Sequence, residues 1–162
     1  PMFSASHTST SGNQSNLLAT PADLSEASLE DLVIQINGAV DDRGNKVVLQ
    51  TRSLMIPRQL EFEAARILKS IQQNDTANNA INALRAMGTF PDGFKVNNFF
   101  TDPDAFFIKT DLSEGELTLF QRRELEFTKD NEFGTENALA KATERYSLQV
   151  GDFRGYYASA GA

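Results

Sequence analysis

Apolar residues recur at helical spacing near the start of the chain. In residues 29–36 they fall at i, i+3, i+4 and i+7, which is the spacing of one helix face. Thr20 is the predicted N-cap of this first helix, with Pro21 in its first turn and Asp23 completing a capping box. Asn37-Gly38 has the composition of a helix end.

Two further helices are predicted downstream. The second is expected to begin at Pro57, and its apolar face would hold Leu60, Ala64, Ile67, Leu68 and Ile71. The third is expected over residues 76–87, capped by Asp75 or Thr76, with Ile81, Leu84 and Met87 buried.

Strands are predicted where short apolar or alternating runs replace the helical spacing. Residues 46–50 and 53–56 read as short buried strands, and residues 94–100 and 105–109 as two more. Residues 116–128 alternate between apolar and polar positions, as do residues 144–150 beyond a polar loop at 129–137. The last two segments predict a long antiparallel β-ribbon. Since a two-stranded ribbon is marginally stable by itself in water, we expect it to lie against another surface.

This pattern predicts an α+β fold with three parts. Residues 1–19 are expected to form a polar arm or loop that is disordered unless a partner holds it. Residues 20–110 are expected to form a compact domain of helices on a small sheet, and residues 111–162 a β-ribbon extension.

Composition and charge argue against several function classes. The 162 residues carry a net charge of −7 and the basic residues are scattered, whereas DNA-binding proteins usually carry a basic patch or stripe. Specific nucleic-acid binding is therefore not expected. No apolar run reaches the length of a membrane span, so no membrane partner is expected. The chain has no cysteine, and its first residues do not have the pattern of a signal peptide.

The candidate chemical groups favour structural roles. His7 is the one histidine and lies in the polar arm without a nucleophile or metal partner nearby in the sequence. Asp102 and Asp104 are more typical of turn capping than of a cation site. Glu61 and Glu63 point to different faces of a helix, so they do not form an acid/base pair.

Two other features could in principle mark a ligand site. The glycines do not form a phosphate-binding loop. The doublets Phe99-Phe100 and Phe106-Phe107 could line a pocket, but core packing is the stronger interpretation. We therefore expect no enzymatic activity, no cofactor and no metal.

Four segments, taken in order, resemble a group of major capsid proteins of tailed bacteriophages. They are Phe3-Ser4-Ala5-Ser6-His7 followed by Asn16-Leu17, then RSLMIPRQLEFEAARILKS at 52–70, NFFTDPDAFFIKTDL at 98–112 and LAKATERYSLQVGDFRGYYA at 139–158. Their order and spacing match along nearly the whole chain. The span between His7 and Asn16 is longer than in that group.

The resemblance implies the Hong Kong 97 fold and a structural role. This chain would be the C-terminal portion of such a coat protein, with an axial-type domain at 20–110 and a ribbon that returns to a peripheral-type domain. Copies of the chain would assemble into pentamers and hexamers of an icosahedral phage or prophage capsid that encloses double-stranded DNA. Scaffold and portal proteins would be further partners. The protein would assemble in the cytoplasm of the bacterial host and reside in the virion shell.

The subunit interface is expected on the ribbon. We select Arg122, Arg123, Glu144 and Arg145, because charges at the rim of an interface set the register of neighbouring subunits. Ordinary solvated strand charges are an equally good interpretation of these residues. At the level of function, the alternative is a non-catalytic adaptor module whose ribbon binds a partner edge-on.

Overall fold

The computed structural model describes residues 1–73, 80–112 and 117–162. The chain divides into two compact units, of which the first comprises Pro1–Glu114 with Phe153–Ala162 and the second Gly115–Asp152. The fold is α+β with a long antiparallel strand pair, as the sequence predicts.

The strands are β1 (His7–Ser9), β2 (Gly12–Gln14), β3 (Thr51–Pro57), β4 (Phe94–Asn97), β5 (Phe106–Thr110), β6 (Leu117–Asn131), β7 (Ala138–Val150) and β8 (Tyr156–Ser159). The helices are α1 (Glu26–Asn37), α2 (Glu61–Lys69) and α3 (Ala83–Ala86), with 3₁₀ turns at Arg58–Leu60 and Phe153–Gly155.

A four-stranded sheet in the order β4-β3-β5-β8 forms the centre of the first unit. Strand β3 runs parallel to β4 and antiparallel to β5, which is antiparallel to β8. Leu54 lies opposite Ile108, and Ile108 lies opposite Tyr157, so one apolar row crosses three strands. All three side chains are buried and belong to the main core together with residues of α1 and α2.

Helix α1 begins later than the sequence predicts. Its N-cap is Ser25, which forms a capping box with Ser28, so the predicted cap at Thr20 is wrong. The reason lies in the tertiary structure. Ala22 exchanges hydrogen bonds with the hydroxyl of Ser159 at 3.2 and 2.7 Å, which holds the chain beside β8 before the helix can start.

Helix α2 also begins later and ends earlier than predicted. Pro57 is the last residue of β3 and has extended backbone angles, so it does not begin the helix. A 3₁₀ turn follows before α2 starts at Glu61. Because Ser70 is again extended (φ −62°, ψ 139°), Ile71 is turned away from the apolar face and is exposed rather than buried.

The third helix is a single turn in the part of the chain that the structure describes. It is capped by Asn82, whose side-chain oxygen accepts the N–H of Arg85 at 3.1 Å. The predicted caps, Asp75 and Thr76, lie outside the described residues. Leu84 is buried as predicted, but Ile81 and Met87 are exposed. Ile81 forms an isolated bridge with Gln72, which keeps the chain extended just before the helix.

The strand predicted at residues 46–50 is wrong. This segment contributes only an isolated bridge between Val40 and Lys46, and Val48 is exposed. The backbone of Gln50 instead forms two hydrogen bonds with Asp111. Its N–H donates to Oδ1 of Asp111, and its carbonyl oxygen accepts the backbone N–H of Asp111. The three other short strands are confirmed with shifted bounds as β3, β4 and β5.

The ribbon is confirmed as the pair β6-β7, which constitutes the second unit. Strand β6 extends to Asn131, so the connecting turn is shorter than the predicted loop at 129–137. Residues 153–162 belong to the first unit, because β8 pairs with β5. The sequence pattern places those residues in the ribbon extension instead.

The N-terminal residues are ordered by this chain itself. Strands β1 and β2 form a short hairpin, with His7 opposite Gln14. The hairpin is followed by Asn16, which is fully buried, and by a bridge between Leu17 and Ala158 of β8. The end of the predicted arm thus contacts β8 and the residues just before it in the same chain.

Candidate subunit interface

One face of the ribbon carries apolar side chains in opposed pairs. Leu117 lies opposite Val150, and Leu119 lies opposite Leu148. Because side chains alternate along a strand, these residues share a face. The next pair on that face, Gln121 with Tyr146, ends the apolar stretch in a polar amide and a phenol.

Two register shifts interrupt the ribbon beyond that point. They lie between Gln121 and Arg123 and between Arg123 and Glu126, and each adds one residue to β6 relative to β7. The first shift moves Arg123 to the opposite face, and the second restores the original alternation at Phe127. Bulges of this kind bend a ribbon and redirect its side chains.

The ribbon exposes a large amount of apolar surface. Nine of its large apolar side chains in the described residues are between 51% and 103% exposed. They are Leu117, Leu119, Phe120, Leu125, Phe127, Phe133, Leu139, Tyr146 and Leu148. Soluble monomers rarely expose contiguous apolar patches of large size, and such patches mark interaction sites. The ribbon therefore has the composition of a surface that another molecule covers.

The four predicted interface charges all lie on this ribbon and are exposed. Arg123 and Arg145 are brought together, because they are direct partners across the two strands. Arg122 occupies the extra position at the first register shift. Glu144 shares the apolar face with Tyr146, and both line a concavity of about 290 Å³ beside Leu119 and Gln121. Their role in a subunit interface stays a prediction.

A buried amide that the sequence analysis did not select joins the two ends of the chain. The Nδ2 of Asn16 donates to the carbonyl oxygens of Met2, Phe153 and Tyr156 at 2.8, 3.2 and 2.9 Å. Its Oδ1 accepts the backbone N–H of Ser4 at 3.0 Å. Asn16 thereby satisfies backbone groups from the residues that precede the hairpin and from the segment that leads into β8.

A buried guanidinium reinforces this junction. Arg154 donates from Nε to the carbonyl oxygen of Val40 at 2.8 Å and from Nη2 to Oδ1 of Asp42 at 2.7 Å. A third bond joins Nη2 to Oε1 of Gln14 at 3.1 Å, and the guanidinium carbon lies 4.5 Å from the ring centre of Phe153. Buried charges require partners of this kind. No local pattern in the sequence marks Arg154, because Gln14, Val40 and Asp42 lie in distant segments.

The other candidate residues have structural contacts. His7 is 2.9 Å from Oδ1 of Asn16 through Nε2, and its ring stacks on Phe153 with the centroids 3.9 Å apart. Asp102 accepts the backbone N–H groups of Asp104 and Ala105 at 3.1 and 3.3 Å, which confirms the turn-capping prediction for Asp102.

The carboxylates and aromatic doublets fall into different environments. Glu61 and Glu63 lie exposed in the first turn of α2. The ring of Phe107 contacts Phe3 and Phe100 with both centroid distances at 5.1 Å. Phe106 is a core residue, as expected, but Phe99 is almost fully exposed, so core packing is wrong for that position.

Metal-ligating clusters and membrane-spanning helices are both absent from the parts of the chain that the structure describes. Residues 1–73, 80–112 and 117–162 contain no group of three or more His, Cys, Asp or Glu side chains arranged to hold a metal ion. Among the same residues, no helix has the length and apolar character needed to cross a membrane.

The four segments that resemble phage capsid proteins contact one another in the first unit. The segment at 52–70 supplies β3 and α2, and the segment at 98–112 supplies β5, which pairs with β3. The end of the segment at 139–158 leads into β8, which pairs with β5. The first segment, which contains His7 and Asn16, contacts the residues just before β8.

No protein-family model matches the chain. No curated protein matches it either. One similar solved structure is the crystal structure of a virus-like particle from Pyrococcus furiosus, with a TM-score of 0.47 and 12% sequence identity. The match covers 88% of this chain and 55% of that one, so the chain spans about half the length of the solved protein.

Proposed function

We propose that this chain is a structural, non-enzymatic subunit of an icosahedral phage or prophage capsid with the Hong Kong 97 fold. Its copies assemble into pentamers and hexamers that enclose double-stranded DNA, and the assembled protein is located in the virion shell. The resemblance of four ordered segments to phage capsid proteins supports this proposal. Three of these segments meet in one sheet and the first contacts the residues just before β8, which is consistent with a shared fold element rather than four chance matches.

The exposed apolar ribbon is the observation that carries the proposal. Full burial of one leucine or phenylalanine side chain contributes roughly 1.5–3 kcal/mol relative to exposure. The nine exposed large apolar side chains of the ribbon therefore represent a substantial driving force for association. A shell subunit requires such surfaces on every copy.

The proposed arrangement of copies is a ring and not an isolated dimer. A ribbon that binds a different surface of the next copy forms a heterologous, head-to-tail contact. Such contacts close into rings when the rotation between copies permits it. Pentamers and hexamers are rings of this type.

The charge of the chain fits a shell that encloses DNA without binding it tightly. At a net charge of −7, the subunit does not offer the basic surface that releases counterions from phosphates. We propose that self-association, and not nucleic-acid binding, builds the particle. Scaffold and portal proteins are the other partners that this role involves.

A non-catalytic adaptor is the second candidate function, and one observation favours it. Among the described residues of the second unit, the sheet contains only β6 and β7, so the outer side of each strand is an edge. Exposed edges accept an additional strand from a partner protein. An adaptor of this type would form a complex of fixed stoichiometry with a different protein.

Size-exclusion chromatography with light scattering separates the two candidates. A capsid subunit is expected to give masses at five or six multiples of 17.9 kDa, or larger closed particles, at rising protein concentration. Repetition at 1 M salt would retain the apolar part of the association, because apolar burial is not screened by ions, and would weaken the part that depends on ion pairs. A mass of one chain throughout the concentration series would contradict self-association and favour the adaptor.

A further inference from the structure

The turn at the end of the ribbon presents one aromatic side chain between two carboxylates. Phe133 is fully exposed there, with Glu132 before it and Glu136 after it. The backbone N–H of Glu136 donates to the carbonyl oxygen of Glu132 at 2.9 Å, and Thr135 Oγ1 lies 2.6 Å from Glu132 Oε2. The turn is thus closed by its own hydrogen bonds.

Glu136 has a backbone conformation that is unusual for its residue type. Its φ angle is 56°, and it is the one non-glycine residue with a positive φ among the described residues. Left-handed backbone is unfavourable for a glutamate, and residues of this kind cluster at functional positions. A glycine or asparagine would form the same turn with less strain, so the carboxylate is the feature that distinguishes this residue.

A groove in the first unit has the complementary character. Leu68, Leu84, Phe90 and Phe94 line an apolar cavity of about 220 Å³ between α2, α3 and β4. An apolar cavity of about 150 Å³ accommodates benzene, so this one has room for a phenyl ring. We refer to this cavity, with its four apolar lining residues, as the groove.

Two cations lie at the rim of the groove. Lys69 has its ammonium 5.7 Å from the ring centre of Phe94, and Arg85 donates from Nη1 to the carbonyl oxygen of Lys69. Within the described ranges, no carboxylate forms an ion pair with either cation. Asp92, the acidic residue nearest to Arg85 in the sequence, is paired with Arg52 at 3.3 Å.

The adjacent concavity of the same unit is larger, at about 340 Å³, but differs in character. It shares Gly88 with the groove and is lined by apolar and neutral polar residues only. It lacks the two cations, so it does not complement an acidic turn. Of the two cavities, the smaller groove is therefore the one whose charges complement the acidic turn of the ribbon.

We propose that Phe133 of one copy inserts into the groove of a second copy, where Glu132 and Glu136 pair with Lys69 and Arg85. This inference rests on the proposed function, since it names one contact through which the subunits associate. The occupant is a second copy because the ribbon turn supplies both an apolar ring and two anions. A contact of this type is head-to-tail, which is the kind that closes into rings.

Disulfide cross-linking tests this contact directly, because the chain contains no cysteine. Two single variants, Phe133→Cys and Leu68→Cys, are mixed in equal amounts and oxidised. The expected product is a dimer in which peptides containing position 133 and position 68 are joined, identified by mass spectrometry. Since each chain carries one cysteine, that product forms only between copies.

The matched control replaces Leu68→Cys with Phe99→Cys. Phe99 is also an apolar residue of the first unit, and it is almost fully exposed but does not line the groove. We expect the mixed 133–68 dimer to exceed the mixed 133–99 dimer at least tenfold. Equal yields of the two mixed dimers would overturn the proposal.

Charge reversal provides the second test. Lys69→Glu with Arg85→Glu is expected to reduce self-association at least tenfold, and combining it with Glu132→Lys and Glu136→Lys is expected to restore it. Particles that form equally well with the groove charges reversed would refute this contact and leave the capsid function standing. If no variant and not even the unaltered chain self-associates, both the contact and the proposed function are wrong.

Discussion

Arg123 lies directly opposite Arg145 across the two strands of the ribbon. Like charges at opposed positions of an antiparallel pair are destabilising. In the described parts of the chain, no carboxylate forms an ion pair with either residue. Two cations held together on an exposed surface are readily explained if a neighbouring copy supplies the anion.

The variant Arg145→Glu separates the stability of the ribbon from its association. A carboxylate opposite Arg123 would stabilise the strand pair by about 0.2–1 kcal/mol, measured by amide hydrogen exchange of β6 and β7. Association measured by light scattering should weaken, because the anion of the neighbouring copy loses the cation with which it pairs. If association is unchanged, Arg145 is an ordinary solvated charge and leaves the set of interface residues.

The apolar face of the ribbon is tested at Leu119 and Leu148, which are opposed and exposed. We expect Leu119→Thr with Leu148→Gln to raise the concentration needed for association about tenfold or more, equivalent to about 1.4 kcal/mol. Analytical ultracentrifugation across a concentration series measures this shift. Because both side chains are exposed, the free energy of unfolding should change by no more than about 1 kcal/mol.

The opposite face supplies the control for that experiment. Thr118 precedes Leu119 on β6, and Gln149 follows Leu148 on β7. Thr118 and Gln149 lie opposite each other on the other face of the ribbon. Thr118→Ser with Gln149→Ser should leave the association concentration unchanged. An equal loss in both double variants would show that the apolar face has no special role.

Much of the fold is predictable from the sequence, because local periodicity determines it. The apolar spacing of α1 and the alternation of β6 and β7 are visible without any tertiary contact. Helix boundaries are not predictable in the same way. Thr20 and Pro21 form a good local start signal, but hydrogen bonds between Ala22 and Ser159 hold that segment beside β8. Contacts 137 residues apart in the chain decide the outcome.

The candidate interface likewise has features that local periodicity determines and features that distant contacts determine. The ribbon and its charged residues could be selected from alternation alone, whereas the opposition of Arg123 and Arg145 depends on a register shift that the sequence does not reveal. Asn16 and Arg154 were missed because their partners are backbone carbonyls or side chains from distant segments. Such contacts have no signature in one stretch of residues.

Arg154 offers a test of how the chain ends are joined. Replacement by Met removes hydrogen bonds to Val40, Asp42 and Gln14, and we expect a loss of about 2–3 kcal/mol in the free energy of unfolding. Urea denaturation followed by circular dichroism measures it. The control is Arg52→Met, which removes a half-exposed ion pair with Asp92 and should cost about 0–1 kcal/mol. Equal losses would show that burial of Arg154 has no energetic role.

Asp41 predicts a pH dependence of stability. Hydrogen bonds lower its pKa from the ordinary value of 3.8, first from the side chain of Asn45 and then from the backbone N–H of the same residue. A lowered pKa in the folded state contributes stability that is present above the ordinary pKa. That contribution is lost as the pH falls through the folded pKa.

The variant Asp41→Asn should therefore be less stable than the unaltered chain at pH 7, and the difference should shrink at an acidic pH, as the pH falls through the lowered folded pKa of Asp41. Urea midpoints at both pH values measure the difference. Asp31→Asn, at an exposed position of α1, is the control and should show a smaller change between the two pH values. A difference for Asp41→Asn that persists undiminished at acidic pH would contradict this account of the turn.

Negative-stain electron microscopy of the largest species in solution shows whether copies of this chain assemble as capsid subunits do. Fractions from size exclusion at high protein concentration are imaged without any added partner. Rings with five- or six-fold symmetry, or closed shells built from such rings, are the expected result. Fields of single 17.9 kDa particles, or irregular aggregates without symmetry, would contradict the assignment of this chain as a capsid subunit.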